Sequence, residues 1–270
     1  MPELSANKEI VYSANRDQKI GNDEYFGMEL EISFSHEKHS TRPDAEQIHK
    51  NLVKKNIAIQ LVNAISWGYD SSVDNGIETR WPPMTYNYFM QSREVEQVIR
   101  YLETYGATAW HNKSNNGIHM HVNRASFTLI QLYKFIRFFQ TNQGFIRHVA
   151  RRDVFSNGYC NIRRLSNANI VNMIKQDYSE KFDAINMHGP TVECRIFQST
   201  TNIHAIRAYW QFMYALKRFV EVASVKNLNE QNFKSFVTVK DFRLLQKLMS
   251  TENKFAPNKV ILAGEVPYNA

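Results

Sequence analysis

The clearest pattern of apolar and polar positions lies in residues 26–34, FGMELEISF. Apolar and polar side chains alternate with a period of two, which indicates a β-strand with one buried face. The apolar positions, which we predict to face a core, are Phe26, Met28, Leu30, Ile32 and Phe34. Glu29 and Glu31 then lie about 6.6–6.8 Å apart on the other face. Two carboxylates this close repel each other unless a cation lies near them.

Three other segments alternate in the same way, namely GIETRW at 76–81, GIHMHVN at 117–123 and TVECRIF at 191–197. If their apolar faces pack on helices, one face of a sheet collects the polar side chains Glu29, Glu31, Glu78, Arg80, His119, His121, Glu193 and Arg195. Each strand alone fits the simpler interpretation of a solvated surface strand. Solvated faces usually carry Thr, Ser, Lys and Gln, however, so ligand-type residues on four strands favour a functional face.

Helical periodicity accounts for much of the remaining chain. The predicted helices are 41–56, starting at Asp44; 86–106, closed by Gly106; 127–152, broken at Gly144; and 202–224, with short helices after it. Strands interspersed with helices predict an α+β fold with a mostly antiparallel sheet. Nothing in the sequence marks a boundary between two domains.

Two turns are predicted from their residue types. Asn-Gly between apolar runs predicts a hairpin within residues 64–83, with its turn at Asp74–Gly76. We expect Pro82 and Pro83 to end the second strand of this hairpin, because proline cannot donate a ladder hydrogen bond. A His188-Gly189-Pro190 turn is predicted to join strands at 181–187 and 191–197.

Composition limits the classes of protein to which this chain can belong. The chain has 270 residues, 43% of them hydrophobic and 22% charged, which is typical of a globular protein. It shows no apolar run long enough for a membrane helix and no signal-peptide core, and Cys160 and Cys194 lack disulfide or metal-ligand spacing. A cytoplasmic location with no membrane partner is therefore expected. The net charge of +7 is compatible with a polyanionic partner, and the patterning carries no indication of oligomeric state.

The residue types on the shared polar face indicate metal and phosphate chemistry. Carboxylate oxygens suit Mg²⁺ and Mn²⁺, whereas His-rich sites favour zinc, and the carboxylates outnumber the imidazoles here. Arg195 beside them suits a phosphoryl group, because a planar guanidinium donates two parallel hydrogen bonds. A metal and an arginine together commonly stabilise a transferred phosphoryl group. The chain has no P-loop or dinucleotide-binding glycine motif.

Five blocks, in this order, carry a family resemblance: FGMELE, DSSVDNGIETRWPP, NNGIHMHVN, AINMHGPTVECRIFQSTTN and the aromatic helix after it. Together, over about residues 24–220, they resemble the putative amidoligase family of ATP-dependent carboxylate–amine ligases, which is related to glutamine synthetase and glutamate–cysteine ligase. The resemblance implies a curved sheet whose concave polar face holds magnesium and ATP, with helices packed behind. It divides the chain into a flexible N-terminal arm at 1–23, a catalytic domain at 24–225 and a helical extension and tail of the same domain at 226–270.

The family's motifs also imply roles for individual residues. The implied metal ligands are Glu29, Glu31, Glu78, His119 and Glu193, and the implied nucleotide-binding residues are His121, Arg152, Tyr159 and Arg195. Arg195 would also stabilise the transferred phosphoryl group. Ser199 departs from the family, which often has glycine there, and this affects the expected shape of the turn or pocket.

The function implied by the resemblance is formation of an amide or isopeptide bond through an acyl phosphate, with ATP and Mg²⁺ or Mn²⁺ as cofactors. The substrates would be a carboxylate and an amine, from amino acids, peptides or protein side chains. The attacking amine must be neutral, so a base is needed. Asp70 is the candidate base, whereas Asp74 is better explained by turn chemistry.

Two other functions fit parts of the sequence. A zinc hydrolase would use His119 and His121, with a further ligand from His148, His188 or His204. A nucleic-acid-binding protein would use the basic cluster Arg147, Arg151, Arg152, Arg163 and Arg164. The second function leaves the glutamate-rich face unexplained, because carboxylates repel phosphates, and nucleic acid is therefore not the expected partner.

Overall fold

The computed structural model describes residues 10–12, 24–35, 38–39, 41–70, 73, 75–108, 116–152, 160–163, 165–176, 179–180 and 183–250. Its strands are β1 (Ile10–Tyr12), β2 (Tyr25–Phe34), β3 (Ser66–Gly68), β4 (Gly76–Thr85), β5 (Ala107–Thr108), β6 (Gly117–Asn123), β7 (Ile185–His188) and β8 (Thr191–Gln198). Its helices are α1 (Ala45–Lys54), α2 (Ile59–Ala64), α3 (Tyr86–Gln91), α4 (Arg93–Tyr105), α5 (Leu129–Thr141), α6 (Gln143–Ala150), α7 (Asn167–Gln176), α8 (Ile203–Val222), α9 (Glu230–Val239) and α10 (Arg243–Met249).

The strands form one open eight-stranded sheet in the order β1-β3-β4-β2-β6-β8-β7, and β5 pairs with one end of β2. Every strand pairing in this sheet is antiparallel. The α+β class and the antiparallel sheet are therefore confirmed. The first alternating strand of the sequence, β2, lies in the middle of the sheet between β4 and β6, so its polar face has neighbours on both sides.

The apolar faces of the central strands lie in the core, as their periodicity predicts. All five apolar side chains of β2 are at most 1% exposed, and Ile118, Met120 and Val122 of β6 are fully buried. The long helix α8 covers this face. Its Trp210 stacks on Phe89 of α3 with 3.8 Å between ring centroids, and the Trp210 indole donates to the sulfur of Met28.

The second strand of the predicted hairpin does not end at its prolines, and that prediction was wrong. β4 pairs with β3 as expected but continues through Pro82 and Pro83 to Thr85. Met28 pairs with Trp81 and Phe26 pairs with Met84, so the two prolines lie opposite Gly27 in a bulge. A bulge releases residues from the hydrogen-bonding ladder, which is why it accepts proline inside a strand.

Two predicted helices are each divided by a polar residue. Ser92 ends α3 and caps α4, its hydroxyl accepting from the amide of Val95, so 86–106 holds two helices closed by Gly106. The break in 127–152 falls at Asn142 and not at the predicted Gly144. The Asn142 side-chain amide donates to the Phe138 carbonyl and so competes with the helical hydrogen bonds.

The C-terminal helices pack on α8 and share its core. Phe233 of α9 and Leu245 of α10 are fully buried, and the Gln211 side chain of α8 accepts a hydrogen bond from the amide of Leu245. Within the predicted N-terminal arm, Ile10–Tyr12 pair with β3, and residues 1–9 and 13–23 lie outside the described residues. The three-part division of the chain stays a prediction.

Two helices and two strands have no counterpart in the sequence prediction, namely α2, α7, β1 and β5. The two strands are short, with β1 at the edge of the sheet and β5 paired to one end of β2, and α7 packs on α5. In the described part of the chain, no helix combines the length and the apolar character that crossing a membrane demands. The cytoplasmic location stays a prediction.

Candidate functional site

The register of the sheet places the polar side chains of β4, β2, β6 and β8 beside one another. Glu29 lies opposite Arg80 on β4 and opposite His119 on β6. Glu31 pairs with Glu78, and His121 pairs with Glu193. Side chains of directly opposed residues start about 4.5–5.5 Å apart, so these pairs are within contact distance. We call Glu29, Glu31, Glu78, Arg80, His119, His121, Glu193 and Arg195 together the acidic face.

His119 lies at the centre of the acidic face and contacts three carboxylates. Its Nδ1 lies 3.0 Å from Glu29 Oε2 and 3.3 Å from Glu193 Oε1, and its Nε2 lies 3.6 Å from Glu31 Oε1. The side chain is only 4% exposed. Both ring nitrogens therefore face carboxylates, which suits a residue that holds these carboxylates in position.

His121 has a different environment. Its Nδ1 lies 3.4 Å from the Thr191 hydroxyl, whereas its Nε2 is buried without a hydrogen-bond partner and lies 3.6 Å from Glu29 Oε1. Ligand atoms of Glu29, His121 and Glu193 all lie within 4.8 Å of one another. Among the described residues this is the one group of three or more His, Cys, Asp or Glu side chains with such spacing.

Two arginines contact the carboxylates of the acidic face from opposite sides. Arg80 Nη2 lies 2.5 Å from Glu78 Oε1, and Arg80 Nε lies 3.4 Å from Glu29 Oε1. Arg195 Nη1 donates to Glu193 Oε1 at 2.6 Å. The sequence pattern places Arg80 on this face but assigns it no role. Its contacts with Glu78 and Glu29 depend on the register between β2 and β4, which the pattern does not give.

Backbone contacts fix Glu31. The amide of Gly117 donates to Glu31 Oε2 at 2.6 Å, and the hydroxyl of Ser199 donates to the Glu31 carbonyl. Ser199, the residue that departs from the family, is fully buried and joins the end of β8 to β2. Asn116 adds a third link, because its side chain donates to the Ser33 hydroxyl at 2.8 Å. Sequence patterning gave no role to Asn116, since it lies outside the alternating strand.

Arg152 and Asp70, both predicted site residues, are buried at the edges of the acidic face. Arg152 is 9% exposed, and its Nη1 donates to the Arg195 carbonyl at 3.3 Å. Asp70 is 6% exposed and follows β3, where its charge acts on Glu78 and Arg80. Tyr159 and Asp74 lie outside the described residues.

The proximity of these groups changes their proton affinities. Burial and the neighbouring Glu29 carboxylate raise the pKa of Glu78 to about 7 despite the contact with Arg80. Burial also acts to raise the pKa of Glu29, but the contacts with His119 and His121 outweigh it and hold that pKa well below its usual value. Burial works against protonation of His121, yet the Glu29 and Glu193 carboxylates raise its pKa overall.

The arrangement fits a divalent metal ion. Neighbouring ligand atoms of an octahedral magnesium ion lie about 3 Å apart and opposite ones about 4.2 Å, so ligand atoms within 4.8 Å of one another can converge on an ion through side-chain movements of about 1–2 Å. His121 Nε2 makes no hydrogen bond and lies 3.6 Å from Glu29 Oε1, so it faces the same point as the carboxylates. Burial and then repulsion from Glu29 raise the pKa of Glu78, and a bound cation would relieve the repulsion.

The residues of the two alternative functions are mostly engaged elsewhere. His148 Nε2 contacts the Met249 carbonyl, and His204 is exposed at the start of α8, so neither joins the acidic face. In the basic cluster, Arg151 donates to the Leu248 carbonyl and Arg163 forms a bidentate pair with Asp183. Of the remaining residues, Arg164 and the side chain of His188 lie outside the described part of the chain.

Comparison with known proteins identifies the family. A model of the family described as "Putative amidoligase enzyme" matches residues 22–217, which include every strand of the acidic face. No curated protein matches the chain. The family name supports an enzyme with ligase activity. Because the family model covers most of the 270-residue chain, the protein belongs to this amidoligase family.

Proposed function

We propose that the protein is an ATP-dependent carbon–nitrogen ligase that joins a carboxylate to an amine, as an amide or isopeptide bond, through an acyl phosphate. The observation that carries this proposal is the convergence of Glu29, His121 and Glu193 beside the Arg195 guanidinium. A metal-ligand cluster next to a fixed arginine is suited to phosphoryl transfer, for which catalysis is mainly positioning and charge stabilisation.

Glu29, His121 and Glu193 would hold a Mg²⁺ or Mn²⁺ ion. Their two carboxylates and one imidazole suit Mn²⁺ at least as well as Mg²⁺. When bound, the divalent ion neutralises phosphate charge. Glu31 and Glu78 are further carboxylates for this site or for a second ion, since both are nearly fully buried on the same face.

The geometry supports exchanging the roles that the family resemblance implies for the two histidines. His121 Nε2 makes no hydrogen bond and would bind the metal after losing its proton, whereas His119 Nδ1 lies between Glu29 and Glu193 and would keep both carboxylates oriented. Residues that orient metal ligands in this way tune both the geometry and the basicity of a site. His119 would then act through the ligands it contacts.

The cationic side chains would bind the nucleotide phosphates. Arg195 is 15% exposed, and its ion pair with Glu193 holds the guanidinium in a fixed position beside the metal-ligand cluster. Arg152 lies behind it, donating to the Arg195 carbonyl, and would stabilise that position. A guanidinium fixed in place loses little entropy when it contacts the transferred phosphoryl group.

The two substrates would meet at the edge of β4. Asp70 carries a carboxylate near Glu78 and Arg80, and it would accept the proton of the attacking amine. We further propose that the sheet curves as in the glutamine synthetase catalytic domain, with the acidic face on its concave side. Such a curve would enclose both substrates and exclude water from the acyl phosphate.

The test is ADP release by the purified protein in the presence of Mg²⁺, ATP, carboxylates and amines. Wild-type protein should release ADP only when both substrates are present. Glu193→Gln should lose this activity while remaining folded. The substitution removes the negative charge that would bind the metal and that pairs with Arg195. Glu103→Gln, at an exposed position on α4, is the matched control and should retain full activity. Full activity of Glu193→Gln would overturn the proposal.

A further inference from the structure

Arg80 is a cation placed between two carboxylates that would serve a metal. Its guanidinium lies 2.5 Å from Glu78 Oε1 and 3.4 Å from Glu29 Oε1, and β2–β4 pairing sets Arg80 directly opposite Glu29. The Arg80 side chain is 32% exposed, whereas Glu78 is 4% exposed. The arginine therefore approaches the carboxylates from the open side of the acidic face.

A divalent ion and this guanidinium would compete for the same oxygen atoms. Both are positively charged, so an ion close to Glu29 and Glu78 repels Arg80 while it draws on the same negative charge. Glu78 has no second cation that contacts it among the ion pairs of the described residues, which makes Arg80 its main counter-charge. Arg80 is also exposed enough to move, since its guanidinium is not enclosed by the core.

We propose that Arg80 is a positioning residue that changes partners as the site fills, an inference that rests on the proposed function. In the metal-free site it neutralises Glu29 and Glu78. When a metal is bound by these carboxylates, the Arg80 guanidinium turns to an anionic oxygen of the bound phosphate group. Metal binding releases the Arg80 guanidinium, which then forms an ion pair with the anion.

This exchange couples the binding of the two ligands. Metal binding costs less when an anion is present to accept the released guanidinium, and by linkage the anion binds more tightly when the metal is present. An arginine that only stabilised the fold would not produce this pattern. The metal also couples to the phosphates directly, so the part of the coupling that is lost when Arg80 is replaced distinguishes a partner exchange from a fixed structural ion pair.

The first measurement is Mn²⁺ affinity without nucleotide, by titration of wild type and Arg80→Gln. We expect Arg80→Gln to bind Mn²⁺ at least about fivefold more tightly than wild type. Fivefold is the lower end of the usual range of coupling between two binding sites. Arg100→Gln is the matched control, because Arg100 forms an ion pair with Glu96 on the outer face of α4 and is 71% exposed. Its Mn²⁺ affinity should equal that of wild type.

The second measurement is the affinity for a fluorescent ATP analogue at saturating Mn²⁺. Arg80→Gln should bind the analogue about fivefold more weakly or worse, because the accepting guanidinium is gone. Arg80→Lys should recover part of this affinity, since an ammonium keeps the charge without the planar fork. Unfolding curves of all variants check that each one is folded.

The two measurements separate this inference from the proposed function. Tighter Mn²⁺ binding combined with weaker analogue binding supports the exchange. Unchanged or weaker Mn²⁺ binding by folded Arg80→Gln, or an unchanged analogue affinity, overturns the exchange and leaves the ligase proposal standing. Absence of Mn²⁺ binding by wild type both without and with the ATP analogue overturns both.

Discussion

At the scale of single residues, the acidic face balances four glutamates against two arginines and two histidines. His119 contacts three of the carboxylates, Arg80 contacts the fourth, Glu78, and Arg195 contacts Glu193 from the other side. This balance is incomplete, because the pKa of Glu78 is raised to about 7. The metal-free site therefore carries a measurable cost in stability at neutral pH.

Glu78→Gln should remove part of the pH dependence of stability of the metal-free protein. Burial and Glu29 raise the pKa of the folded Glu78 from 4.5 to about 7, so between these values the folded state keeps a proton that the unfolded state has lost. Raising the pH across this window should destabilise wild type by about 3 kcal/mol. Urea unfolding with a chelator at pH 5 and pH 7.5 measures this. Parallel pH profiles for wild type and Glu78→Gln would contradict the assignment.

Gly117→Ala should weaken nucleotide binding while the protein remains folded. A Cβ at Gly117 would collide with the Arg152 guanidinium and lie 3.2 Å from His119 Nε2. Because the end of the arginine can move, we expect a stability loss of only about 1–2 kcal/mol. Displacing Arg152 should lower the affinity for an ATP analogue with Mg²⁺ about tenfold, the effect of losing a charged hydrogen bond.

Gly144→Ala is the matched control for this substitution. A Cβ at Gly144 meets nothing within 4 Å, and the residue lies inside α6. Alanine should stabilise the helix by about 0.5–1 kcal/mol and leave nucleotide affinity unchanged. Equal affinities for Gly117→Ala and wild type would show that Arg152 does not support the nucleotide site.

At the scale of elements, α8 joins the sheet to the other helices through aromatic contacts. Trp210 stacks on Phe89 at an interplanar angle of 8° and donates to Met28 on β2. Phe212, further along the same helix, lies 5.7 Å from both Phe197 of β8 and Phe233 of α9, measured between ring centroids. Two strands of the acidic face, β2 and β8, are thus held from behind by α8.

Trp210→Ala should destabilise the protein by about 3–5 kcal/mol, the usual cost of truncating a buried aromatic side chain. The indole is fully buried, so its removal leaves a cavity between α8, α3 and β2. Val222→Ala near the end of α8, where the side chain is 74% exposed, should change stability by less than about 0.5 kcal/mol. Urea unfolding measures both, and similar losses would contradict the role given to α8.

The strand faces could be predicted from the sequence, but the order and register of the strands could not. A period of two fixes which side chains of 26–34 share a face, and all five apolar ones are buried. Which residues then meet across strands depends on pairing between distant segments. The contact of Arg80 with Glu29 and the central place of His119 both follow from that pairing.

Breaks within elements were predicted less well, because side-chain hydrogen bonds decide them. Gly144 was predicted to break the helix because of its residue type. The break lies instead at Asn142, whose side-chain amide donates to the Phe138 carbonyl. Pro82 and Pro83 were predicted to end a strand, yet β4 continues through them because a bulge opposite Gly27 accommodates both prolines. The residues of the candidate site were predicted by residue type, whereas the different contacts of His119 and His121 required the structure.

At the scale of the whole molecule, a basic protein of net charge +7 concentrates carboxylates on one sheet face. Some of its clustered arginines are engaged in structural contacts, as for Arg151 with Leu248 and Arg163 with Asp183. Any proposed ligand of this protein therefore has to account for the acidic face. The central claim is that this face binds a nucleotide together with a divalent metal.

The most direct test is thermal unfolding of wild type and Glu193→Gln with a non-hydrolysable ATP analogue, with and without Mg²⁺. Ligand at about 100 times its Kd should stabilise wild type by about 2.7 kcal/mol, a rise of several degrees in Tm. We predict that this rise requires Mg²⁺ and is absent in folded Glu193→Gln. A wild-type Tm that does not change with analogue and Mg²⁺, or a rise of equal size in Glu193→Gln, would contradict the account.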